Sequence, residues 1–148
     1  MSKPSGVPFE FTLHVRDTCL CLHVHRAARA VARRFDEALR PVELTHGQFS
    51  LIMALNRPEP ATMADVAALL AVDRTTLTAN LKPLERRGLV QVAADKRDKR
   101  RRRLALTSVG RARLAAAAPI WKREHAALER LLARTTPDDL RADLATLA

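Results

Sequence analysis

The sequence predicts a mainly α fold carrying one small β element (α+β), and three observations carry that expectation. Alanine, leucine and arginine dominate a chain with four glycines, four phenylalanines, one tryptophan and no tyrosine, a composition that favours helices over a many-stranded sheet. Apolar residues recur at steps of three and four along most of the chain, the period of a helix with one buried face. Polar residues of the Thr and Asp kind stand just ahead of those stripes, where the first amides of a helix lack partners. At 148 residues a single domain is expected.

Residues 1–11, with Pro4, Gly6 and Pro8, read as a loose arm. A first long helix is expected over 17–39 on the stripe Leu20, Val24, Ala27, Val31, Phe35 and Leu39, and Pro41 ends it. Thr45 and Gln48 form a capping box for a second, short helix whose face is read as Phe49, Ile52, Met53 and Asn56. Thr62 caps a third helix, with Asp65 in its first turn and Met63, Val66, Ala67 and Leu70 inward. Asp73 caps a fourth, which runs to Arg87 on Leu77, Leu81 and Leu84 and stops at Gly88. Two short helices joined by a tight turn make a helix-turn-helix candidate.

Residues 89–92 and 104–106 read as short strands flanking the charged loop 95–103, so a wing follows the fourth helix directly. Thr107 caps a fifth helix that extends to about Ala133, with Leu114, Ala118, Trp121, His125, Leu128 and Leu132 as a heptad seam and a kink expected at Pro119. Thr136 and Pro137 open a last helix presenting Leu140, Leu144 and Leu147. The whole reads as a winged helix-turn-helix lobe over 44–107, held between segments 12–40 and 108–148 whose apolar seams call for a second copy of the chain.

Twenty-six Lys and Arg face sixteen Asp and Glu, a formal charge of +10, so the natural partner is a polyanion. On the fourth helix the face opposite the leucines carries Thr75, Ala79, Lys82 and Arg86, flanked by Thr76 and Thr78, with Arg74 at the entrance. Small and hydroxyl residues let a helix backbone sit deep in the major groove, and cations beside them reach phosphate or guanine. In the wing seven of the eight residues from Lys96 to Arg103 are cationic, among them Arg97, Lys99, Arg100 and Arg101, which suits a narrow, negative minor groove. A two-fold dimer would set two such helices about 34 Å apart, one turn of double-stranded DNA, the spacing of a near-palindromic operator.

Catalysis is not expected: no nucleophile constellation, phosphate-cradling glycine loop or paired carboxylates are visible, and no cofactor is called for. Cys19, Cys21, His23 and His25 alternate, which on a helix points them about 200° apart, too far to close one metal site. On a continuous helix the two cysteines are also badly placed to bond to each other. Residues 1–11 lack the apolar core of a signal peptide and no apolar run reaches the length of a membrane span, so the expectation is a cytoplasmic, nucleoid-associated protein with no membrane partner.

From Leu44 to about Leu132 the chain resembles the MarR family of winged-helix regulators. The residues that carry the resemblance are Leu44–Phe49, Val72–Thr78, Leu84–Val90 and, above all, the wing, where Asp95, Arg97, Asp98 and Arg100 followed by Leu106, Thr107 and Gly110 match an Asp-x-Arg-Asp-x-Arg and Leu-Thr-x-x-Gly pattern. The resemblance implies a homodimer joined through its terminal helices, a transcriptional regulator, usually a repressor, that leaves its operator when a small ligand or an oxidant arrives. It also implies that Asp73 orients the reading lobe and that Arg97 or Arg100 enters the groove. Pro83, late in the fourth helix, departs from it and would bend the last turn around Lys82 and Arg86.

Two inputs are open at this point. Arg16, His23, Arg26 and Phe49 would suit a small organic anion of the aromatic-acid kind. Cys21 falls where the organic-hydroperoxide-sensing branch of the family carries its reactive thiol, although the tyrosines of that branch are missing here, and packing is the plainer role for both cysteines. A non-specific architectural DNA-binding protein is the remaining alternative.

Overall fold

Pro8 enters the first helix in an extended conformation, φ −64° and ψ 150°, and its carbonyl accepts the first amide bond, from Phe11. This is where a residue without an N–H costs nothing, because the opening amides of a helix have no partner in any case. The computed structural model describes residues 6–148, and the part of the expected arm that precedes Gly6 lies outside it. Helix α1 spans Phe9–Thr18 and helix α2 spans Leu20–Leu39. The expected loose arm and single helix over 17–39 are both corrected by this. The break falls at Cys19, where ψ turns to 110° and the Thr18 hydroxyl donates to the His14 carbonyl. Neither glycine nor proline marks it, so no punctuation in the sequence announces it.

Residues 6–34 form one unit and residues 35–148 a second. In the second, a 3₁₀ turn over Arg40–Val42 leads through Glu43, held at φ 56°, into α3, His46–Ala54. The Thr45 hydroxyl accepts from the Gln48 amide while the Gln48 side chain accepts from the Thr45 amide, the expected capping box. Strand β1, Ala61–Thr62, precedes α4, Met63–Leu70, and α5, Arg74–Arg86. Strands β2, Val90–Ala94, and β3, Arg102–Leu106, form the wing, followed by α6, Ser108–Glu129, and α7, Pro137–Leu147. The three antiparallel strands are ordered β1-β3-β2, with Val92 opposite Leu104 and Ala61 on the other side of it.

Four features differ from the sequence reading. The strand β1, two residues long, is too short to leave an alternating pattern. Arg102 and Arg103 belong to β3 and not to the loop, because pairing with Ala94 and Ala93 extends the ladder past the apolar residues. On α3 the buried residues are Leu51, Ile52 and Ala54, while Met53 is 43% exposed and Asn56 lies beyond the helix. That helix packs against α4, α5 and α6 at once, so burial on several sides erases a single stripe. Helix α6 stops at Glu129, leaving Leu132 outside it.

The core collects Leu39, Leu51, Ile52, Val66, Leu77, Leu84, Leu89 and Leu104, each at most 2% exposed. Leu77, Leu81 and Leu84 all point into it, so α5 is nailed down along one side and free along the other. Among the described residues no helix is long and apolar enough to cross a membrane.

Candidate nucleic-acid interface

Helix α5 begins at a cap made by Asp73, whose carboxylate accepts from the Thr76 amide at 2.7 Å. That bond holds its carboxyl below the usual carboxylate range. Asp73 is thereby occupied in fixing where the helix starts, two residues after the Ala71 turn at φ 52° that sets its angle to α4. The opposite end is tied down too. The Arg87 guanidinium donates to the Glu43 carbonyl at 2.7 Å and to the Gln48 side chain at 3.4 Å. Arg113 of α6 donates to the Val42 carbonyl at 2.8 Å and pairs with the Glu43 carboxylate at 3.1 Å. The corner at Glu43 therefore joins the end of α5 to α6, a link no sequence pattern advertises because its partners lie 39 to 71 positions apart.

Between those anchors the outer side of α5 is exposed. Arg74, Thr75, Thr76, Thr78, Ala79, Lys82 and Arg86 are all solvent-facing. Arg74, Thr78 and Lys82 also line a groove toward the wing, of which Thr75, Ala79 and Arg86 are not part. The Thr78 hydroxyl already donates to the Arg74 carbonyl at 2.8 Å, leaving its oxygen lone pairs for an incoming donor. The helix continues through Pro83 to Arg86, so Lys82 and Arg86 stay on it.

The wing is built around Asp95, the one charged residue among those described that is buried. One oxygen of its carboxylate accepts from the Arg97 amide at 2.9 Å, and the other accepts from Arg103, with Nε and Nη2 both at 3.0 Å. The Arg97 amide bond and, after it, the Arg103 guanidinium hold the Asp95 carboxyl below its ordinary range. Arg103 also donates to the Pro60 carbonyl at 3.4 Å, which pins the wing to the segment ahead of β1. At the tip Asp98 accepts from the Arg100 amide at 3.0 Å and sits 3.8 Å from Arg101. Arg97, Lys99 and Arg100 project into solvent, and among the described residues none of their side chains has a protein partner. A rigid base with free cations at its end is what an arm reaching for phosphate requires.

The residues considered for an effector do not all converge. On α2, His23 and Arg26 line a shallow groove with Arg29 and Arg33. Arg16 lies outside that groove and pairs with Asp17 at 2.6 Å. Phe49 belongs to the other unit, where it stacks near Trp121 at 6.4 Å, and Trp121 in turn stacks on His125 at 4.6 Å. Both cysteines are free thiols, Cys21 exposed. Cys19 is neither a helix residue nor simple packing: its sulfur accepts from the Leu22 amide at 3.5 Å and its carbonyl from His23, so it caps α2. The premise that the pair shares one continuous helix is corrected with it. His46 helps start its helix as expected, its amide and ring both meeting Asp36, at 2.7 and 2.8 Å.

Comparison with known proteins places this geometry. Residues 42–101 match the MarR family. The regulator TtmR of Methylorubrum extorquens is 36% identical over 95 residues, which cover 64% of this chain and 49% of TtmR, so the chain spans about half the length of that curated relative. The Mycobacterium tuberculosis transcriptional regulator MosR, solved in complex with DNA, is 39% identical with a TM-score of 0.80 over 88% of this chain and 93% of its own. The transcriptional repressor CouR, bound to a 23-mer DNA duplex, is 31% identical with a TM-score of 0.80 over 97% of this chain and 99% of its own.

Proposed function

Since the chain belongs to the MarR family of winged-helix regulators, we propose that it is a sequence-specific DNA-binding transcriptional regulator, a homodimeric repressor released from its operator by a small organic acid. The observation that carries this reading is the pairing of an α5 side free of core contacts with a basic wing whose tip cations have no protein partners. MosR and CouR, each at more than 30% identity over most of both chains, are described as bound to DNA, and that supports the same partner here. Segments 12–40 and 108–148 supply the dimer surface. Leu20 and Val24 on α2, and Leu144 and Leu147 on α7, are 41% to 69% exposed, an apolar area that a second copy would cover. The reading assigns no catalytic step and no cofactor, and it puts the protein in the cytoplasm with the nucleoid.

For the ligand, the cations of the α2 groove, His23 and Arg26 beside Arg29 and Arg33, support the carboxylate of an organic acid. Binding would act by favouring a dimer whose two recognition helices are wrongly spaced for the duplex. The deciding experiment titrates the protein against duplexes from the DNA flanking its own coding region and against scrambled controls. An inverted repeat should be bound at least about a thousandfold more tightly than its scramble at physiological salt. Equal binding would replace the regulator with a non-specific architectural protein. Arg97→Ala and Arg100→Ala should each weaken binding, and unchanged affinity in both would remove the wing from the interface.

A second reading makes Cys21 the input. Its exposure, beside a helix start that depends on the Cys19 sulfur, favours it. A Cys21 thiolate attacking a hydroperoxide would form an S–O bond, break the O–O bond and leave a sulfenic acid plus an alcohol or water. Peroxide should then release wild-type protein from DNA and spare Cys21→Ser. Equal loss in both proteins clears Cys21.

A further inference from the structure

Two adjacent arginines on β3 have opposite surroundings. Successive residues of a strand face opposite sides of the sheet, so Arg102 and Arg103 part company although the sequence runs them together. Arg103 turns to Asp95 and the Pro60 carbonyl, and its side chain is 37% exposed. Arg102, opposite Ala94 at the outer end of the ladder, turns instead into the groove between wing and recognition helix. That groove, about 430 Å³, takes apolar lining from α4, α5 and β2, and its polar lining is Arg74, Thr78, Lys82 and Glu85 of α5 and Arg102 of β3. On the helix these four residues follow at steps of four, four and three, one stripe along the flank that faces the wing. Three cations, one hydroxyl and one carboxylate thus line a trough open to solvent. Among the described residues none of the three cationic side chains has a protein partner.

We propose that this trough seats one strand of the duplex backbone, with Arg102 as a phosphate-binding residue that works with Arg74 and Lys82, while Arg103 anchors the wing and touches no DNA. This rests on the DNA-binding reading above and assigns a contact within it. The argument is charge and shape together. A helix seated in the major groove and a wing reaching the neighbouring minor groove must straddle the sugar-phosphate strand that separates the two grooves. The cavity between helix and wing is then the place where that strand runs. Three cations there give it the sign the strand requires. Base edges lie in the grooves on either side, so contacts in the trough position the duplex and do not read its sequence. Glu85 is the one anion on the trough's wall, and it would keep the strand toward the Arg74 and Lys82 end.

The test needs no operator, because a backbone contact persists on any sequence. Wild type, Arg102→Ala, Arg102→Lys and Lys122→Ala, a cation on α6 far along the sequence from the wing, are titrated against one random-sequence 30-base-pair duplex by fluorescence anisotropy between 50 and 200 mM salt. Removing one phosphate neutralisation should lower the slope of log affinity against log salt by about 0.9. Over that fourfold range the affinity of the alanine variant should therefore fall about 3.5-fold less than that of wild type. Arg102→Lys should retain the slope, since a phosphate accepts either cation, and Lys122→Ala should leave it unchanged. All four should melt at the same temperature. An alanine variant with wild-type slope, or one with a lowered melting temperature, overturns the assignment while DNA binding stands. Failure of the wild type itself to bind at low salt removes the DNA-binding reading and this phosphate site with it.

Discussion

Replacing Gly110 with alanine should unfold the junction between wing and α6, with a fall in melting temperature on the order of 10 °C. Gly110 is buried in the first turn of α6, where its amide donates to the Thr107 hydroxyl oxygen at 3.0 Å. A methyl group at this position would stand 2.0 Å from the Leu89 carbonyl oxygen and 3.0 Å from the carbonyl carbon. The obstacle is backbone and cannot rotate away. Leu89 is held there because its carbonyl accepts from the Thr107 amide at 3.1 Å and its neighbour Val90 pairs with Leu106. The Thr107 hydroxyl fixes the same spot from the other side by donating to the Gly88 carbonyl at 2.5 Å. The helix must lift off the base of the wing or the strand must shift, and overpacking of this kind costs about 3 kcal/mol. Gly47 is the matched control. It sits in the first turn of α3 with only the Thr45 hydroxyl oxygen as near as 4.0 Å, so Gly47→Ala should melt at or slightly above the wild-type temperature. A Gly110→Ala protein melting within about 2 °C of wild type would show that the junction yields without strain.

Gly110 also shows which parts of this molecule are legible in a sequence. Its place in a family pattern is visible there, but the reason for it is a close approach to a residue 21 positions earlier. Signals confined to one turn of helix are read directly. Thr45, Thr62, Asp73, Thr107 and Thr136 each cap the helix expected of them through an amide three residues on. The leucine stripe of α5 is equally plain, because one side of that helix meets the core and the other meets water. Features that depend on distant partners leave no local trace. The break at Cys19 lacks a glycine or proline, β1 is two residues long, and Met53 reads as inward although it is exposed, because α3 is packed on several sides. The basic run at 96–103 reads as a uniform charged loop, yet its residues divide into an anchor, a groove-lining arginine and free tip cations once strand register assigns each a face.

Removing the Asp95 carboxylate should be the most damaging single change to DNA binding that leaves the helices intact. In both Asp95→Ala and Asp95→Asn, affinity at physiological salt is expected to fall on the order of tenfold to a hundredfold, with a shallower salt dependence. The asparagine variant is the sharper test because it keeps the size of the side chain. It loses the charge, and with it the two charge-assisted bonds from Arg103, while the oxygen that remains accepts only from the Arg97 amide. Arg103 is then half-buried without its anion, the connection through it to the Pro60 carbonyl loosens, and Arg97, Lys99 and Arg100 lose the fixed base from which they project. Ordering those side chains on DNA would have to be done during binding, so fewer phosphate contacts form. The pH dependence has a definite sign. Because the Arg97 amide and Arg103 depress the folded-state pKa of Asp95, its stabilisation of the wing is complete above the unfolded value near 4 and is lost as pH falls through the lower folded value. Between about pH 5 and 8 the gap in stability between wild type and Asp95→Asn should therefore be flat, and it should close only in more acid solution. Wild-type DNA affinity in the asparagine variant, measured within about twofold at pH 7, would mean that the wing holds its shape without the ion pair.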